Sequence, residues 1–183
     1  CAEEDIRRIV GERPDGPRIS VMADAGKCDY REDIVPKSRS VVDMIRVACY
    51  LHDLPVAFDM VRDAHDKGYE VSINVMAVTT VSESDLEEGL AKIAESEAAI
   101  VYLVDSFGAL PPSRVRHLME LYLRYAETSG KSVGIHAHNN LQLAFANTIE
   151  AMYAGASYLD ATMGGLGRGA GNCPLELLVG FLH

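Results

Sequence analysis

Two histidines two positions apart stand out in the stretch Gly134-Ile-His136-Ala-His138-Asn139-Asn140. On a β-strand that spacing sends both side chains to one face, about 6.5 Å apart along the chain. Neutral imidazoles bind divalent metals at about 2.0–2.1 Å, so His136 and His138 suit two ligands of one ion. The same spacing also serves packing or surface histidines that hold no ion. A second stretch, Met163 to Pro174, carries five glycines between 164 and 171. Such a backbone turns tightly, approaches a ligand closely, and can bring Asn172, an oxygen donor, over the histidines. Within it Gly165-Leu-Gly-Arg-Gly-Ala170 formally matches a dinucleotide-binding pattern. That fingerprint belongs to the first strand–helix unit with an acid about 20 residues on, whereas this loop follows the last strand, so the nucleotide reading is set aside.

The elements that must position these residues read as alternating strands and helices. Lys131-Ser-Val-Gly-Ile feeds the histidine pair as a strand, and the spacing of Leu143, Ala146, Asn147, Ile149 and Glu150 starts a helix just beyond it. The pair therefore stands at a strand end, where α/β folds keep their chemistry. Six strands are predicted, at 18–23, 42–48, 71–78, 99–104, 133–138 and 158–161. Residues 3–10 read as helical turns, followed by a turn from Gly11 to Pro17. Helix, glycine, strand recurs at Gly68, Gly130 and Gly155, where glycine supplies a left-handed cap. Ser82 and Ser84 stand in capping-box spacing to Asp85 and Glu87, Pro55 and Pro111-Pro112 open helices, and a last helix spans Pro174 to Leu182. Arg31-Glu-Asp33 falls in a polar stretch and is assigned to a solvated loop.

All six strands should be parallel, which leaves a doubly wound sheet or a (β/α)₈ barrel. Polar residues within or at the ends of strands, Arg46, Asn74, Asp105 and Asp160, favour the barrel, whose upper interior accepts polar groups. Six strands are two short of closure, so a partial TIM-type barrel of six βα units is expected, with unpaired edges at the strands of Ile19 and Leu159.

Composition narrows the class of partner. The 183 residues fall in the range of one domain, taken as 1–183. A net charge of -10 argues against nucleic acid or an anionic membrane surface, both of which need a basic face. Small molecules fit better. Cys1, Cys28, Cys49 and Cys173 lie far apart with no C-x-x-C pair, which fits a reducing cytoplasm better than a disulfide framework. The longest apolar runs, such as Ala98 to Val104, have strand length and fall short of a membrane span. A first residue of Cys1 rather than Met suggests processing or a piece of a longer chain.

The run His136-Ala-His138-Asn-Asn-Leu-Gln-Leu-Ala-Phe-Ala-Asn147, with Ala154-Gly155 and Asp160-Ala-Thr-Met-Gly-Gly-Leu-Gly-Arg-Gly-Ala-Gly-Asn-Cys-Pro-Leu-Glu176, resembles the metal-dependent aldolase and lyase barrel superfamily (HMG-CoA lyase-like, DRE-TIM metallolyases). Ile45-Arg-Val-Ala48, Tyr102-Leu-Val-Asp-Ser106 and Gly108-Ala109 are similar to strands of its 4-hydroxy-2-oxovalerate aldolase branch. The resemblance implies His136 and His138 as metal ligands, Asn172 as a direct or nearby ligand, and Ser106 as a contact for the substrate carboxylate. Arg46, Asp105 and Asp160 are either substrate contacts or inner-barrel salt bridges. The family's Arg-Asp pair on the first strand has no counterpart here, so the first two strands are the ones expected to be missing and the general base is not assigned. Tyr50 and His52, on the rim after the second strand, are either acid/base or surface residues. His65 and His117 read as surface, and Cys173 as a small buried residue at a helix start.

The resemblance implies a divalent ion, Mn²⁺ first and Mg²⁺ or Zn²⁺ next, and a 2-oxo acid substrate cleaved through a pyruvate-like enolate. Asn140, where many acyl-CoA-condensing synthases carry Asp, leans to the aldolase side. A synthase of the isopropylmalate or homocitrate type, or a non-catalytic ligand-binding barrel, stays open, as does a homo-oligomer or a partner dehydrogenase.

Overall fold

The computed structural model describes residues 3–11 and 16–183, so Cys1 and residues 12–15 of the expected turn lie outside the described residues. Six strands form, β1 Ser20–Asp24, β2 Met44–Cys49, β3 Glu70–Val75, β4 Ile100–Asp105, β5 Ser132–Ala137 and β6 Tyr158–Leu159. The helices are α1 Glu3–Val10, α2 Tyr30–Asp33, α3 Leu54–Asp66, α4 Glu83–Ala94, α5 Pro112–Thr128, α6 Ala144–Ala154 and α7 Leu175–Leu182. Every adjacent strand pair is parallel, and spatial order follows chain order from β1 to β6. A doubly wound sheet reverses its strand order at a switch point. This one does not, and β1 and β6 do not pair, so the sheet is a partial TIM-type barrel of six strands.

Alternation along the strands separates two faces. Val47, Ile73, Leu103 and Ile135 turn outward and are fully buried with Met60, Leu90, Met119 and Tyr122 of the helices. Met44, Ile100, Tyr102 and Val104 turn inward as a smaller cluster against Tyr158. Local signals hold the connections. The Ser82 hydroxyl accepts from the Asp85 N–H at 3.1 Å to cap α4, and the glycines after α3, α5 and α6 take φ of +94°, +68° and +118°.

Three expectations change. The third strand stops at Val75 rather than residue 78, because Ala77 adopts φ 53° and a 3₁₀ turn follows at Val78–Thr80. The sixth strand shortens to two residues: beyond it the Thr162 N–H donates to the Cys173 carbonyl at 3.0 Å, so the backbone leaves the sheet to pair with the glycine loop. Arg31-Glu-Asp33 lies in the short helix α2 and is exposed. Among the described residues no helix is long and apolar enough to cross a membrane.

Candidate functional site

The inward parity of the strands assembles a polar chain across the interior. Gly134 of β5 makes room for it, since a Cβ there would lie 2.5 Å from Cε1 of Tyr102. The Tyr102 ring supports the Arg46 guanidinium, whose carbon sits 4.3 Å from the ring centroid. Arg46 in turn grips Asp160 with two bonds, Nη1 to Oδ1 at 3.1 Å and Nη2 to Oδ2 at 2.6 Å. Asp160 also lies 2.9 Å from Nδ1 of His136. Burial pushes the Asp160 carboxyl up, but the bonds from His136 and Arg46 outweigh it and hold the group below the usual carboxylate range. An ionised carboxylate only accepts, so it fixes a proton on Nδ1 of His136 and leaves the Nε2 lone pair for a ligand.

The second imidazole joins the first on the same side. The rings of His136 and His138 stand 5.1 Å apart between centroids at 75°. Burial, reinforced by the neighbouring His136, lowers the His138 pKa and favours the neutral imidazole that a metal needs. Gly108, with φ +56°, lets the end of β4 approach: a Cβ there would sit 2.7 Å from the His138 carbonyl oxygen. From the other side the glycine loop pairs Asn172 with His138 in an antiparallel bridge. The Asn172 Nδ2 donates to the Leu166 carbonyl at 3.2 Å, while Oδ1 is buried with no partner among the described residues. An orphaned buried oxygen costs about 1–3 kcal/mol unless something binds it. Two imidazoles and this amide oxygen fit a divalent ion. Among the described residues no cluster of three His, Cys, Asp or Glu gathers for one, so remaining positions would fall to substrate, water or groups not described.

Beside His138 opens a cavity of about 490 Å³, bordered among others by Asp24, Lys27, Tyr50, Ser106, His138 and Arg168. Ser106 accepts the Ala77 N–H at 2.9 Å, which leaves its own hydroxyl proton to donate. Tyr50 reaches the cavity with its ring stacked on His52, 5.5 Å between centroids. His52 borders a different cleft between α3 and α4.

The expected site residues thus divide. Arg46 and Asp160 form an inner-barrel salt bridge, as one of the two alternatives had it. Asp105 takes neither of its two expected roles: it does not join Ser106, and among the described residues its carboxylate accepts backbone N–H groups rather than forming a salt bridge. It follows Val101 and Leu103 in parity, faces the helices, is fully buried, and accepts the N–H groups of Ala109 and Leu110 at 3.1 Å each. Asp24, Lys27 and Arg168 are brought to the cavity without having been singled out. Asp24 ends β1 on the inward parity of Met22, which pairs with Arg46 in the register. That parity was the available signal. Cys173 is fully buried, and burial raises its thiol pKa.

Fold and site together define a parallel-barrel domain with its polar groups gathered at the strand ends. The HMGL-like family model matches residues 52–183, and the chain belongs to that family. An oxaloacetate decarboxylase of Mycobacterium tuberculosis is 40% identical over 84% of this chain and 45% of its own length. A 4-hydroxy-2-oxovalerate aldolase of Thermus thermophilus is 34% identical over 98% of this chain and 51% of its own length. The chain spans about half the length of the curated relatives it matches. In fold, the HMG-CoA lyase of Bacillus subtilis superposes with a TM-score of 0.81 at 18% identity, covering 98% of this chain and 67% of that one.

Proposed function

We propose that the protein is a divalent-metal-dependent carbon–carbon lyase that cleaves a 4-hydroxy-2-oxo acid to pyruvate and an aldehyde. The observation that carries this reading is the orphaned Asn172 oxygen beside a histidine pair, one member of which is oriented by Asp160. His136, His138 and Asn172 would hold the ion, with Mn²⁺ first and Mg²⁺ or Zn²⁺ next for such a mixed N/O set. When bound, the ion supplies Lewis acidity to the 2-oxo group.

The chain's own residues do the rest. Ser106 donates its hydroxyl to the substrate carboxylate. The retro-aldol step then breaks the C3–C4 bond, its electron pair passes to the pyruvate enolate, and the proton of the 4-hydroxyl leaves to a base. Tyr50 is the one of the two rim candidates that borders the cavity. Protonation at C3 completes pyruvate. The spread-out cysteines and the strand-length apolar runs support a cytoplasmic enzyme.

A second reading draws on the oxaloacetate decarboxylase relative: loss of carbon dioxide from C3 of oxaloacetate yields the same enolate, so the same residues would serve. One assay separates the readings. The protein with Mn²⁺ is offered 4-hydroxy-2-oxovalerate or oxaloacetate with pyruvate as readout, and acetyl-CoA plus a 2-oxo acid with free thiol as readout. Pyruvate release that is lost in His136→Ala is expected. Thiol release without pyruvate would move the protein to the synthases, and no turnover with intact folding would make it a binding module.

A further inference from the structure

The chain carries 27 acidic against 17 basic residues, so a cation without an acidic partner calls for an explanation. Among the described residues, Arg168 has neither an ion-pair nor a hydrogen-bond partner for its side chain, yet it borders the cavity beside His138. Its neighbour in that cavity, Lys27, is neutralised by Asp24, with Nζ 2.6 Å from Oδ2. Arg168 is therefore the uncompensated positive charge at the mouth.

The loop holds this residue where it stands. Gly169 takes φ +66°, and a Cβ on it would lie 3.4 Å from the side-chain Nδ2 of Asn140, so the loop rests against the Asn140 side chain in the turn that follows β5. The Asn139 N–H donates to the Gly171 carbonyl at 2.8 Å, and Asn172 bridges to His138. The loop is thus fastened beside the site just after Arg168, and before it the Leu166 carbonyl accepts from the same Asn172 at 3.2 Å. A planar guanidinium suits two-point binding of a carboxylate.

Resting on the 2-oxo acid reading of the same site, we infer that Arg168 is a specificity-determining residue that binds a second carboxylate, at the far end of a dicarboxylic 2-oxo acid. Ser106 then takes the carboxylate next to the 2-oxo group, and Arg168 the distal one. The natural substrate class becomes 2-oxo dicarboxylates, with oxaloacetate and 4-hydroxy-2-oxoglutarate as short members, rather than acids with an apolar tail.

A matched pair of unreactive ligands tests this without turnover. 2-Oxoglutarate and 2-oxopentanoate share chain length and the 2-oxo acid head and differ in the terminal carboxylate. Calorimetric titration of the Mn²⁺-loaded protein should show 2-oxoglutarate binding at least about tenfold tighter, with a preference that shrinks as salt rises. Arg168→Ala should abolish the preference while leaving 2-oxopentanoate affinity within about threefold, and Arg168→Lys should restore part of it. Arg168 is exposed on a loop, so neither substitution disturbs the core. Equal binding of the two ligands to the unaltered protein, or a preference that survives Arg168→Ala, overturns the inference alone. Binding of neither ligand overturns it together with the 2-oxo acid reading.

Discussion

His136 is one link in a relay that begins at Arg46 and passes through Asp160. Asp160→Asn keeps the shape but removes the charge that fixes the proton on Nδ1. Metal affinity should fall by about 10–100-fold, as for other outer partners of ligating histidines. Arg46 would lose its counter-charge while its side chain keeps only 16% of its exposure, so a stability loss of about 3 kcal/mol in urea unfolding is expected as well. Asn172→Ala separates the two effects. It deletes an oxygen that nothing among the described residues satisfies, so Mn²⁺ affinity should drop while stability without metal stays within about 1 kcal/mol. Equal Mn²⁺ affinity in both proteins would make Asn172 a loop residue only. The two histidines and Asn172 were legible in the sequence because period-two alternation and a glycine run are local signals. Asp105 was misplaced because adjacent strand positions face opposite ways, and the parity of β4 is set by its outward Val101 and Leu103. Lys27 and Arg168 were out of reach, since loops far apart in the chain bring them together.

At the scale of elements, the strand and helix order was readable from hydrophobic period and caps, and only the ends slipped where Ala77 and Thr162 leave the sheet. Gly134 shows how packing enters the site. Gly134→Ala should drive the Tyr102 ring off Arg46 and cost about 1–3 kcal/mol by overpacking, with a weaker Mn²⁺ site as a second consequence. Unchanged stability would mean that Tyr102 has room to swing away. The start of β1 is held by Asp43, which accepts from the Ile19 N–H at 2.9 Å and from Lys37 Nζ at 3.0 Å. The Ile19 bond first and Lys37 second hold its carboxyl below the usual range. A depressed folded-state pKa adds stability that is full above the unfolded value of about 3.9 and is lost as pH falls through the folded one. Asp43→Asn should therefore cost about 1–2 kcal/mol at neutral pH, and the difference should shrink below about pH 4. A pH-independent difference would assign the effect to hydrogen-bond geometry rather than charge.

At the scale of the molecule, the described residues form six strands that lie in chain order and leave β1 and β6 unpaired with each other. Met22, on the inward side of β1, is 57% exposed, whereas the side chains of β3 and β4 are almost wholly buried. Amide exchange should follow that gradient, with β1 opening locally and β3 and β4 exchanging only on global unfolding. Uniform protection across the sheet would show that something covers the β1 edge in solution. The parallel sheet also explains why all the candidate chemistry lies at one end, since every strand delivers its last residues to the same rim.

The proposed chemistry requires a metal held by that rim. Titrating the protein with Mn²⁺ and following the electron paramagnetic resonance signal of the free ion tests it directly. One ion bound per chain, and none in the His136→Ala, His138→Ala double variant, is the expected result. An unaltered protein that leaves all Mn²⁺ free, or a double variant that binds as well as the original, would contradict it.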